Sequence, residues 1–219
     1  MIDENAHSVR SAAHGLIIMR LSASNLTAER GGRIIFANLS FTVEAGESLT
    51  VTGPNGAGKS TLLRVLAWLL PHLGGDISLT PSTDTTIAEQ VHYVGHADAL
   101  KGLLTASENL QFLGPLLDAG HGGMAVDAAL AEFGLSHIAG LPAAYLSAGQ
   151  KRRVTLARLL AVKRPLWLLD EPFTALDTTS QALMTRIMTS HLAQGGMIVA
   201  ATHAILGLPG RDLRLGAPT

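Results

Sequence analysis

An α/β fold, strand-rich at its N-terminal side and with a helical segment inserted into a sheet-based core, is what this sequence predicts. Three observations lead there. A short β-prone run, Ser48–Thr52, feeds a glycine-rich loop and then a helix pattern. A continuous apolar run, Leu166–Leu169, ends in the carboxylates of Asp170 and Glu171, as suits a parallel strand buried on both faces. Between the two, residues from about 97 to 160 read as helices, and strand and helix alternate again from Leu166 onward.

Taken in order, strand patterns fall at Leu16–Leu21, Ile34–Phe36, Leu39–Val43, Leu49–Thr52, Ile77–Leu79 and Val91–Val94, with Glu44–Glu47 as a turn. After the glycine loop, Leu62, Leu63, Val65, Leu66, Leu69 and Leu70 recur at helical spacing until Pro71 stops the helix. Thr105-Ala106-Ser107-Glu108 is a capping-box pattern before Leu110, Phe112 and Leu113. Gly134 is a stop after Met124–Phe133. Ser147, with Gln150 three residues on, caps another helix that runs through Val154–Leu160, and Met197–Ala200 is a later strand.

Composition narrows the classes. The 219 residues suit one domain over 1–219, with 97–160 as a helical subdomain inside it, and no internal repeat appears. Apolar residues make up 47% and mean hydropathy is +0.30, yet Arg64 and His203 interrupt the longest apolar stretches well short of the roughly 18 residues that a span needs. The surplus is expected mainly in the core. Asp3 and Glu4 stand where a signal peptide wants positive charge, and Gly15–Met19 is short for its apolar region, so a cytoplasmic chain is expected. Zero cysteines remove disulfides and thiolate metal sites. A formal net charge of −1 offers no basic field for nucleic acid.

The loop Gly53-Pro54-Asn55-Gly56-Ala57-Gly58-Lys59-Ser60 matches the G-x-x-x-x-G-K-[ST] pattern in full. Glycines let the backbone wrap and aim its N–H groups at phosphate oxygens. Lys59 would reach the β- and γ-phosphates, the Ser60 hydroxyl would ligate Mg²⁺, and Thr61 follows in the helix whose dipole favours an anion. The loop thus predicts binding of a nucleoside triphosphate. About 110 residues further on, Asp170 would sit on the Mg²⁺ and Glu171 would be the general base toward the attacking water, a role worth ~10²–10⁴-fold in rate.

Leu146-Ser147-Ala148-Gly149-Gln150, about 20 residues before the carboxylate strand, resembles the signature motif of ABC-type ATPases, with Ala148 in place of its first glycine. Ala175-Leu176-Asp177 after Pro172 resembles their D-loop, and Ala201-Thr202-His203 their switch histidine. The resemblance covers nearly the whole chain. It implies the P-loop NTPase core of an ABC ATPase, with an N-terminal antiparallel β part and a helical subdomain insert. His203 would contact the γ-phosphate, and Asp177, Ser147, Gly149 and Gln150 would border nucleotide. Two positions depart from the pattern: His96 stands at the Q-loop glutamine, and Arg30 where an aromatic ring stacks on adenine.

The resemblance further implies ATP and Mg²⁺ as cofactors and a second ATPase subunit packed head to tail, so that Ser147 and Gly149 of one close over nucleotide held by the other. Membrane-spanning transporter subunits would dock near Leu100, Leu103 and Leu104, placing the chain at the cytoplasmic face of a bacterial inner membrane, with no nucleic acid as partner. Gly95-His96, the arginines after the signature and Leu166–Asp177 are similar to the haem-exporter ATPases of cytochrome c maturation. Another importer or exporter ATPase is the alternative expectation, and a soluble non-transport ABC ATPase the remote one.

Overall fold

The computed structural model describes residues 19–81, 85–117 and 122–216, with side chains set aside over 113–117. The expected strand start at Leu16, the acidic pair Asp3 and Glu4, and the side chain of Leu113 lie outside that description.

Among the described residues, two sheets and five α-helices make the fold. The parallel sheet runs β5(Val91–Val94), β6(Leu166–Asp170), β7(Met197–Ala201), β3(Ser48–Thr52), β8(Gly210–Arg214). The second sheet is antiparallel, in the order β2(Arg33–Glu44), β1(Arg20–Arg30), β4(Gly74–Thr80). Helix α1(Lys59–Leu66) contacts both sheets, touching β1 on one side and β6 and β7 on the other.

Strand alternation sorts the core into two clusters. Leu166 and Leu168 of β6, with Met197, Val199 and Ala201 of β7, face α1 and the antiparallel sheet. Trp167 and Leu169, with Ile198 and Ala200, face the helices α2(Ala106–Leu117), α3(Val126–Glu132), α4(Ala148–Ala161) and α5(Thr178–Ala193). Every residue of β6 and β7 is buried, which is why these two strands read as unbroken apolar runs.

The structure corrects several boundaries. Ile34–Phe36 and Leu39–Val43 are not two strands but one, β2, bent where Asn38 takes φ 52°. Strand β1 runs on to Arg30, well past the expected Leu21, through register shifts around Asn25. Helix α1 ends at Leu66, ahead of Pro71, because Trp68 adopts φ 58° and its turn leaves Leu69 outside the helix, 59% exposed. Strand β8 carried no apolar signal; its exposed residues join the sheet through backbone pairing with β3. Both expected capping boxes are present. Glu108 N–H donates to Thr105 Oγ1 at 3.1 Å while Thr105 N–H donates to Glu108 at 2.8 Å, and Ser147 and Gln150 exchange the same pair of bonds.

Candidate active site

Parallel strands all end at one edge, so the segments that follow them are delivered together. Val51 and Asp170 both pair with Ala201, and Val94 pairs with Leu169. Gly53, Glu171, Thr202 with His203, and Gly95 with His96 therefore leave the sheet side by side.

The loop from Gly53 to Ser60 turns on left-handed glycines. At Gly53, φ is 139° and a Cβ would lie 2.5 Å from the Leu215 carbonyl. At Gly58, φ is 97° and a Cβ would run into Ile35 Cγ2, so β2 lies directly on the loop. Gly58 is also the N-cap of α1, and no side chain bonds the helix's first N–H groups. Those donors face the loop and suit an anion. Pro54, Asn55 and Gly56 are exposed, Ala57 is packed in the core, and Lys59, Ser60 and Thr61 are half-buried.

Lys59 and His203 meet although 144 residues separate them. The Lys59 ammonium donates to the Gly53 carbonyl at 2.8 Å and the Pro54 carbonyl at 3.2 Å, and lies 3.3 Å from His203 Nε2. An ammonium has only donors, so Nε2 is the acceptor and the ring proton belongs on Nδ1. Asp170 is 4% exposed at the end of β6, the strand against which α1 packs. Ser60 and Asp170 supply hydroxyl and carboxylate oxygens, the donor type that Mg²⁺ prefers. Among the described residues no group of three or more His, Cys, Asp or Glu that could hold a metal ion gathers.

Glu171 takes φ 47°, a left-handed value unusual for a residue with a side chain. Its N–H donates to the Ala201 carbonyl at 2.8 Å, and its carboxylate accepts the Thr202 hydroxyl at 3.1 Å. Thr202 is itself fixed by the Ala204 N–H at 3.0 Å. Thr202 is thus a site member that the sequence reading passed over.

Arg152 is another. It is 2% exposed and bonds the carbonyls of Gly95, Asp170 and Glu171. The signal was its place on α4: Thr155, Leu156 and Leu159 follow on the same buried face.

Among the described residues, no hydrogen bond joins the remaining expected residues to the loop. Arg30 is exposed at the tip of the β1–β2 hairpin, opposite Arg33. His96 is exposed just beyond β5. Ser147 and Gln150 are occupied with capping α4, and no hydrogen bond joins them to the glycine loop among the described residues. A Cβ on Gly149 would meet the Ala175 carbonyl at 3.0 Å, so the signature turn lies against the segment leading to Asp177. The Asp177 carboxylate accepts the Ser180 N–H at 2.7 Å, capping α5 and holding its pKa below the usual carboxylate range.

Known proteins are similar to this chain in sequence and in fold. Residues 36–174 match the family described as ABC transporter. The chain is 56% identical over 199 residues to the cytochrome c biogenesis ATP-binding export protein CcmA of Nitrobacter winogradskyi, covering 90% of this chain and 98% of that protein. Among solved structures, the ATP-binding subunit of an ABC transporter superposes with a TM-score of 0.75 at 26% identity, covering 84% of this chain and 79% of that one. A dimeric ATP-binding cassette bound to ADP and phosphate shares the fold, with a TM-score of 0.75 at 24% identity and coverage of 91% and 97%.

Proposed function

The chain belongs to the ABC transporter family, and from that premise we propose that it is the ATP-hydrolysing subunit of a membrane transporter serving c-type cytochrome maturation. The geometry that carries the ATPase reading is the meeting of Lys59 and His203 at the edge where β6 delivers Asp170 and Glu171. The likeness to a cytochrome c biogenesis export protein, at 56% identity across 98% of its length, supports the cargo class.

In this reading the amides of Gly56–Ser60 and the Lys59 ammonium bind the β- and γ-phosphates of ATP. Ser60 and Asp170 hold Mg²⁺, which when bound neutralises charge on the phosphate oxygens. Glu171 accepts a proton from the attacking water, and Thr202 keeps its carboxylate aimed. His203 orients that water against the γ-phosphate. Arg30 and His96 border the base and the phosphates. Ser147 and Gly149 complete the site of a second subunit, with Gln150 holding their helix end and Asp177 the adjoining turn. Residues 97–160 act as a subdomain that docks on membrane-spanning subunits: Leu103, 94% exposed, and nearby Tyr145, 81% exposed, offer the apolar contact there. No helix among the described residues is long and apolar enough to cross a membrane, so docking would supply the attachment to the cytoplasmic face.

The test is a cell whose only copy carries Lys59→Ala. Covalent haem should disappear from all c-type cytochromes while b-type haem stays normal, read by haem-stained gels beside a haem spectrum. Normal c-type cytochromes in that strain would sink the cargo assignment and leave the general ATPase reading. Loss of both haem pools would point to haem supply instead.

A further inference from the structure

Arg152 is a cation buried largely among carbonyl oxygens. Its Nη1 donates to the Gly95 carbonyl at 2.8 Å and lies 3.5 Å from Asp98 Oδ1; Nη2 donates to the carbonyls of Asp170 at 3.1 Å and Glu171 at 2.7 Å. Asp98, the only carboxylate within ion-pair distance of it among the described residues, is at the limit of that range and 26% exposed, and the carboxylates of Asp170 and Glu171 act on it from farther away. Burial pulls the guanidinium below its ordinary pKa. Burying such a charge is costly, and apolar side chains of similar volume often stabilise a fold as well or better. Stability therefore gives a weak reason for an arginine here.

The backbone that it grips gives a stronger one. Glu171 sits at φ 47°, a conformation that is strained for a side-chain-bearing residue and persists only when the surroundings over-determine it. Ala201 fixes the Glu171 N–H, and Arg152 fixes its carbonyl, where Thr174 N–H also donates at 3.2 Å. With both flanking peptide groups pinned, the carboxylate is directed to the Thr202 hydroxyl. The same guanidinium reaches Gly95, the neighbour of His96, and springs from α4 just after the turn of Ser147 and Gly149.

We infer that Arg152 is a positioning residue for hydrolysis: it holds Glu171 in the left-handed backbone geometry that aims its carboxylate, and so ties the signature helix to the catalytic strand. The inference rests on the reading of Glu171 as the base. Only a planar fork spans both directions, toward Gly95 and toward Asp170 and Glu171; a lysine ammonium reaches one set.

A double-mutant cycle on the transporter complex purified from membranes tests it. Arg152→Met should lower kcat at least ~10-fold while KM and the Kd for a fluorescent ATP analogue stay within ~3-fold, and Arg152→Lys should fall between. In the Glu171→Gln background the same Arg152 change should alter the residual rate less than ~3-fold, since there is no base left to aim. A native kcat in Arg152→Met, or the same proportional loss in both backgrounds, overturns the inference. Should Arg152→Met fail to fold by circular dichroism, Arg152→Lys carries the cycle: its kcat should fall at least ~3-fold with Glu171 present and by clearly less in the Glu171→Gln background, and a native kcat or an equal proportional loss in both backgrounds overturns the inference. Glu171→Gln alone hydrolysing ATP at the native rate would instead remove the base, and the inference with it, so the two failures are told apart.

Discussion

His92 gives the fold a dependence on pH that can be worked out from its surroundings. It lies in β5, 2% exposed, and its Nε2 donates to the Val162 carbonyl at 2.7 Å, joining the strand to the end of α4. Burial, reinforced by Arg158, Arg164 and His191 nearby, pushes its pKa down to about 3. His191, stacked on Trp167 with centroids 3.8 Å apart, is pushed down to about 4, again chiefly by burial. An unfolded histidine titrates near ~6.5. Between that value and the folded one the unfolded chain binds the extra proton, so this stability is fully present above about pH 6.5 and is lost as pH falls. From pH 7.5 to 5.0 the loss is about 2 kcal/mol for each ring, or about 4 kcal/mol together, close to the lower end of a whole domain's stability of about 5–15 kcal/mol.

His92→Gln keeps a donor for Val162 and cannot titrate. It should lose only about 2 kcal/mol over the same interval, the share of His191. Urea unfolding of both proteins at pH 7.5 and 5.0 reads the difference directly, and carboxylates common to both cancel. Thermal midpoints should diverge by about 4–8 °C at pH 5.0 relative to pH 7.5. Parallel pH profiles, agreeing within about 0.5 kcal/mol, would refute a buried neutral His92.

Two further substitutions probe the nucleotide site. Gly58→Ala combines φ 97° with a clash against Ile35, whereas Gly56→Ala has φ 82° but open space around the added methyl. Binding of a fluorescent ATP analogue should therefore fall at least ~10-fold in Gly58→Ala and less in Gly56→Ala, and the reverse order would contradict the packing of β2 on the loop. With Arg30 at the hairpin tip in place of an aromatic ring, preference for ATP over GTP should stay below ~100-fold, and Arg30→Tyr should tighten nucleotide binding by about 0.5–1.5 kcal/mol. A strong ATP preference that Arg30→Tyr leaves unchanged in competition binding would assign the stacking to another residue.

Legibility followed the range of the interactions. The glycine loop, the apolar run into Asp170 and the capping boxes at Thr105 and Ser147 are local devices, made by residues within a few positions of one another, and each stands where its pattern put it. The end of α1 was misread because Leu69 and Leu70 keep helical spacing while Trp68, an ordinary-looking residue, takes the left-handed turn. Strand β1 was cut short because register shifts near Asn25 break its alternation. Strand β8, with four of its five residues exposed, is recruited by the β3 backbone alone. Arg152 and Thr202 bond partners 18 to 57 and 31 residues away; the helical pattern of α4 marks Arg152 as buried, but no local pattern names those partners.

Glu171→Gln tests the central claim most directly. Glutamine keeps the size of the side chain and can still bond Thr202, but it cannot accept a proton from water. Hydrolysis in ATP and Mg²⁺ should fall at least ~10²-fold, about 2.7 kcal/mol in barrier, while nucleotide binding persists and a closed dimer accumulates on sizing. A Glu171→Gln protein that turns over ATP at the native rate and stays monomeric would contradict the assignment of this edge of the sheet as a Glu171-driven ATPase site.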